Sequence, residues 1–118
     1  MPSGAIGNEF AERQFVEAAR LHGRLTNENP GANHAAYDKV VASRKELRAL
    51  PDQGQFFLVA CLADSDPSVV AWAAFYLLPT RTAEAVAALT RVATGQDLVA
   101  FDAEMTLEEW RAGRLKVE

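Results

Sequence analysis

The residues able to do chemistry are few and spread along the chain. His22 and His34 are the only histidines. His34 and Asp38 stand four apart, which on a helix places imidazole and carboxylate on one face, half of a metal site. No cysteine or second histidine falls at ligand spacing, so an ordinary surface pair is the plainer reading and no metal is expected. Cys61, the single cysteine, lies within the apolar run FFLVACLA. A reactive thiolate needs exposure and a positive neighbour, and no Lys or Arg occurs between Pro51 and Thr80. Cys61 therefore reads as a small core residue. Glycine motifs that cradle phosphates or shape a nucleophile elbow are absent from the sequence, and no cofactor is expected.

Carboxylates are the more numerous candidates. Asp64 and Asp66 flank Ser65 in one turn, while Asp102, Glu104, Glu108 and Glu109 gather near the end with Trp110. Two such groups on a rigid scaffold can form an acid–base pair. They can equally cap helices and solvate a surface. The acidic charge is also localised. Residues 51–118 hold ten acidic and five basic side chains, a net of −5, against six and seven in residues 1–50, a net of +1. An acidic half repels phosphate and suits a basic protein surface instead, so a protein partner is expected and nucleic acid is not. Asp64, Asp66, Asp102, Glu104, Glu108 and Trp110 are the candidate partner-binding residues. Arg44, Lys45 and Arg48, with Arg20 and Arg24, form a possible small anion patch. The interleaved Glu46 and Glu17 favour a solvated helix surface there.

These side chains must be positioned by helices. Turn-forming stretches at Thr26–Asn33, Leu50–Gly54, Asp64–Pro67, Leu78–Thr80 and Thr94–Asp97 separate segments rich in Ala, Leu, Arg and Glu. The spacing predicts apolar stripes Ala11, Phe15, Ala18, Leu21, Leu25, then Ala36, Val40, Ser43, Leu47, Leu50, then Thr82, Val86, Leu89, Ala93. The face opposite the second stripe carries Lys39, Arg44, Lys45, Glu46 and Arg48. Phe56–Ala63 and Val69–Leu78 are apolar all round and predict a central, covered hairpin containing Trp72. Asp66 before Pro67 predicts a helix start. In Asp97–Arg114, Val99, Phe101, Ala103, Met105 and Leu107 alternate as a strand would, but an orphan strand has no sheet to join, so the segment reads as either one helix on Val99, Ala103, Leu107 and Trp110 or two pieces. The capping spacing of Thr106 and Glu109 would start the second, and Gly113 ends either. The expected chain is all-α, about six helices in three antiparallel pairs over 9–118, after a flexible segment at 1–8.

At 118 residues, 49% hydrophobic and net −4, the composition excludes disorder, and its longest apolar run is too short for a membrane helix. The opening MPSGAIGN lacks the pattern of a secretory signal, and a lone cysteine suits a reducing compartment, so a cytoplasmic setting is expected.

Leu62–Leu78, LADSDPSVVAWAAFYLL, resembles the second-helix motif of HEAT repeats, with Asp66 and Pro67 in the turn, then Val69, Ala73-Ala74 and Leu77-Leu78. The motif's usual arginine is Val70 here, a departure that bears on the ladder of arginine–aspartate pairs joining successive repeats. More of the chain, roughly Glu9 to Leu115, resembles a small bacterial family, domain of unknown function number two thousand and nineteen. That likeness is carried by Glu46-Leu47-Arg48, the Asp-Pro-Ser-Val-Val turn, and the tail from Ala103 to Gly113. It implies a HEAT-like α-α superhelix in a compact bacterial cytoplasmic protein and supplies no catalytic residues. HEAT-like folds also serve some alkylbase DNA glycosylases, but the acidic second half argues against that use. A helical stack without enzyme activity that holds another protein is the expected function, in particular an immunity protein that occludes a toxin. A structural or regulatory homo-oligomer, with a homodimer as the simplest case, is the alternative, and a hydrolytic enzyme the third reading.

Overall fold

A computed structural model describes residues 3–118, with side chains from Asn8 onward. Every regular element among them is helical: α1 (Ser3–Glu28), a 3-10 turn (Pro30–Ala32), α2 (His34–Arg48), α3 (Gln55–Cys61), α4 (Pro67–Leu77), α5 (Thr82–Ala93) and α6 (Leu98–Arg111). Helix α1 is longer than its stripe predicted. The flexible segment expected at 1–8 falls largely on residues outside those whose side chains are described. The chain divides into two compact units, Met1–Phe57 and Leu58–Glu118.

In the first unit α1 packs on α2. Ala11, Phe15, Ala18 and Ala19 are buried on α1, and Ala36, Val40, Ser43 and Leu47 on α2, close to the predicted stripes. Each large aliphatic side chain so enclosed stabilises the unit by about 1.5–3 kcal/mol before the entropy of ordering it. Ser43 fits this apolar stripe because its hydroxyl donates to the Val40 carbonyl at 2.9 Å. The hairpin is closed by Thr26, which donates to the His22 carbonyl at 2.7 Å and accepts from Asn33 Nδ2 at 3.0 Å. Phe57 meets Phe15 edge-on, centroids 5.8 Å apart.

Arg44 departs from expectation. It lies on the inner side of α2, only 6% exposed, where its Nη1 donates to the Gln53 carbonyl at 2.6 Å. That bond holds the Leu50–Gly54 turn, in which Gln53 and Gly54 both have positive φ. Asp52 closes the turn from the other side, accepting from Gly54 N–H at 2.9 Å and Phe56 N–H at 3.0 Å. Charge assigns Arg44 to the solvated face, although it sits four residues from Val40 and three from Leu47; a long side chain that meets a carbonyl can stay inside. The anion patch thus loses its first member.

In the second unit α4, α5 and α6 each pack on the other two. Asp66 caps α4 as predicted, accepting from Ser68 N–H at 2.8 Å, with Pro67 in the first turn. Helix α6 is one continuous element. Asp97 caps it through Ala100 N–H at 2.9 Å, and Thr106 sits mid-helix, donating back to the Asp102 carbonyl rather than starting a new helix. Gly113, at φ 76, lies just past its end.

Two expectations about packing change. The buried face of α5 is Ala85, Ala88 and Leu89, one residue round from the predicted stripe, with Thr82 exposed. Thr82 opens the helix and donates to the Leu78 carbonyl at 2.7 Å, while the small alanines turn toward the neighbouring helices. The apolar hairpin is also less uniformly covered than its composition implied. Helix α3 has seven residues and buries only Leu58 and Cys61, leaving Phe56 84% exposed. The principal pairs are α1/α2, α4/α5 and α5/α6, so α4 is joined mainly to α5 rather than to α3.

Candidate functional site

The carboxylates at Asp64 and Asp66 are occupied by their own turn. Asp64 Oδ1 accepts from Asp66 N–H at 2.8 Å, and Asp66 in turn caps α4. Such bonds fix a loop and leave each carboxylate aimed at backbone rather than at a shared reacting atom. The turn borders an open concavity of about 470 Å³, lined also by Pro67, Val70, Arg91 and Thr94. Arg91 Nη2 reaches across it toward the Leu62 carbonyl at 3.5 Å.

The other candidates lie on α6, and the helix spreads them over different sides. Successive residues turn by about 100°, so Glu104 and Glu108 share one flank, Asp102 lies on the other, and Trp110 stands opposite Phe101. Asp102, Glu104 and Glu108 are exposed; Trp110 is half-buried on the inward side. Trp110 therefore does not join the acidic residues in one patch. Glu109, next to Asp102's flank, is held by Arg114, whose Nε and Nη2 donate to its carboxylate at 3.1 Å and 2.5 Å. Those hydrogen bonds lower the Glu109 carboxyl pKa and raise that of the Arg114 guanidinium.

Between the acidic flanks runs an element the sequence reading missed. Leu98, Phe101 and Met105 form a stripe facing away from the buried Val99, Ala100, Ala103 and Leu107, and they are 44%, 55% and 38% exposed. Helix α6 thus has two apolar faces, an inner one in the core and an outer one in solvent. The signal was present in the run Leu98–Leu107, too rich in apolar residues for a helix with one inner face. The alternation of Val99, Phe101, Ala103, Met105 and Leu107 between inner and outer sides is the trace of the second face.

The remaining candidates sit apart. Cys61 is buried, as expected. Trp72 is half-buried rather than enclosed, T-shaped to Phe75 and stacked on Tyr76, with both centroids at 6.0 Å. His34 stacks on Tyr37 at 6.3 Å, and His22 approaches the same ring at 6.2 Å. Among the described residues no group of three or more His, Cys, Asp or Glu is placed to hold a metal. Nor is any described helix long and apolar enough to cross a membrane.

Two carboxyls in the first unit have shifted acidity. Burial raises the Glu12 pKa, with Glu9 and Asp52 adding repulsion. The Phe56 and Gly54 N–H bonds lower that of Asp52. Both belong to the fold of that unit. Comparison with protein-family models, curated proteins and solved structures finds no match to this chain.

Proposed function

We propose that this chain is a helical module that docks another protein without catalysis, and that the outer face of α6 is its working surface. The observation that carries the reading is the exposed stripe Leu98, Phe101, Met105 between the carboxylates of Asp102, Glu104 and Glu108. Exposed apolar side chains set in a charged rim are the anatomy of a docking site. Within this class we favour a bacterial, cytoplasmic immunity protein on a HEAT-like stack, covering the basic active site of a toxin by shape and charge. The Asp66–Pro67 helix start and the Ala73-Ala74 pair of α4 support the HEAT-like part, and the acidic second half supports the toxin.

Photocrosslinking tests the docking. A benzoylphenylalanine placed at Phe101 in the native cell is expected to capture one protein, while the same probe at exposed Lys39 does not. Absence of any adduct at Phe101 refutes the docking face. A captured protein that is harmless when expressed alone refutes the immunity role. A homo-oligomer is the second reading, favoured by the exposure of Phe56 and Phe10 in the first unit. A monomer by light scattering at high concentration removes it.

A further inference from the structure

The outer face of α6 is narrow, apolar along its centre and acidic at its edges, which restricts what fits it. From Leu98 to Met105 the stripe spans about 10 Å along the axis, two helical turns. A single exposed ridge of this kind is complemented by the groove beside another helix's ridge rather than by a flat sheet. Its charges then select among helices. Glu104 and Glu108 line one edge and Asp102 the other, while Arg111 is the sole basic residue of the helix, in its last turn. Glu109 already holds Arg114.

We infer that the occupant of this face is a basic amphipathic helix. It presents Leu, Ile or Met at i, i+3 and i+7 to the stripe Leu98–Phe101–Met105, with Lys or Arg beside them reaching Asp102, Glu104 and Glu108. This rests on the docking reading above and adds the chemistry of the partner. A second α6 packed on the first across a two-fold axis would set Glu104 and Glu108 against carboxylates, and like charges at a contact oppose it. Basic flanks convert the same rim into attraction, steer the approach and weaken the complex as salt is added.

The probe is a synthetic amphipathic peptide of about 18 residues, five helical turns, with Leu on one stripe and Lys on both flanks. It is compared with its Glu-flanked counterpart and with a scramble of identical composition. Amide shifts of the labelled full chain locate the binding. The Lys peptide is expected to perturb residues 98–109 first, to bind at least tenfold tighter than the other two, and to weaken with salt. F101S/M105S should reduce its affinity at least tenfold. E104K/E108K should reverse the preference toward the Glu peptide, a gain of binding that a misfolded variant cannot show. Equal binding of scramble and Lys peptide, shifts centred elsewhere, or indifference to both double variants overturns the inference. If the peptides fail while the Phe101 crosslink still captures a protein, the docking face stands and only the basic-helix assignment falls. If the crosslink fails too, both fall.

Discussion

Gly54 and Gly113 provide an internal control on what holds the first unit together. Both have φ 76, a left-handed conformation that costs an L-residue about 1–2 kcal/mol. Replacing either by alanine also recovers about 0.4–1 kcal/mol by restricting the unfolded chain. Strain and entropy are therefore common to both sites and nearly cancel between them. Their surroundings differ. A Cβ at Gly113 meets nothing within 4 Å, whereas at Gly54 it would lie 2.9 Å from Leu47 Cβ and 3.4 Å from Arg44 Nη1. Leu47 is fully buried, and its Cβ is fixed by the backbone of α2, so no rotamer change relieves the contact. The turn has to move, which lengthens the 2.6 Å bond from Arg44 to Gln53. Overpacking of this kind costs about 1–3 kcal/mol. We expect G113A to lose about 1 kcal/mol and G54A about 2–4 kcal/mol. Urea unfolding followed by circular dichroism measures both. Trp72 and Trp110 lie in the second unit, so fluorescence would miss a loss confined to the first. A G54N variant separates the two causes, because Asn adopts positive φ more readily but still carries a Cβ. It should remain well below the parent. Equal losses for G54A and G113A, or full stability in G54N, would refute the claim that the contact with Leu47 matters more than the backbone angle.

Three further outcomes are expected. D66A should cost about 1 kcal/mol by uncapping α4, read as a lower urea midpoint with an unchanged slope. E12Q should raise the melting temperature at neutral pH. The folded-state pKa of Glu12 lies above its ordinary value, so ionisation opposes folding above that pKa; the gain should vanish below pH 4, where the parent carboxyl is protonated in both states. Asp52 has the opposite sign. Its folded pKa is lowered, so its contribution is complete above the ordinary carboxyl range and is lost as pH falls through the folded value. The stability gap between parent and D52A should therefore narrow in acid. A gap independent of pH from 7 down to 2.5 would show that the bonds to Gly54 and Phe56 do not depend on the charge.

How much was legible depended on the range of the physics involved. The Asp66–Pro67 start and the stripes of α1 and α2 follow from caps, breakers and period, each set by residues within one or two turns, whereas the continuity of α6 stayed open between one helix and two pieces. The stripes of α1 and α2 were legible because each helix has one dominant apolar face. Position on α5 was not, since Thr82 and Ala85 are both tolerable inside and only the neighbouring helices select between them. Arg44 was assigned outward because charge ordinarily is; its burial needed the Gln53 carbonyl, brought in by a turn nine residues away.

The candidate site divides in the same way. The acidic residues of α6 were visible in the sequence as a local excess of charge; Asp66 was legible as a cap from Pro67, and the turn showed that Asp64 is likewise held by a backbone N–H group. Sequence alone determined that the chain is helical, where its main breaks fall, and that its second half is acidic, because these are properties of near neighbours. Spacing had already put Val99, Ala103 and Leu107 on one face of α6; only the tertiary structure decided that the opposite apolar face stays uncovered. Val99, Ala103 and Leu107 face the packed helices, and a helix of fixed pitch must then turn Leu98, Phe101 and Met105 outward. Whether a further helix covers that outer face is settled by packing across the unit, which no local pattern encodes.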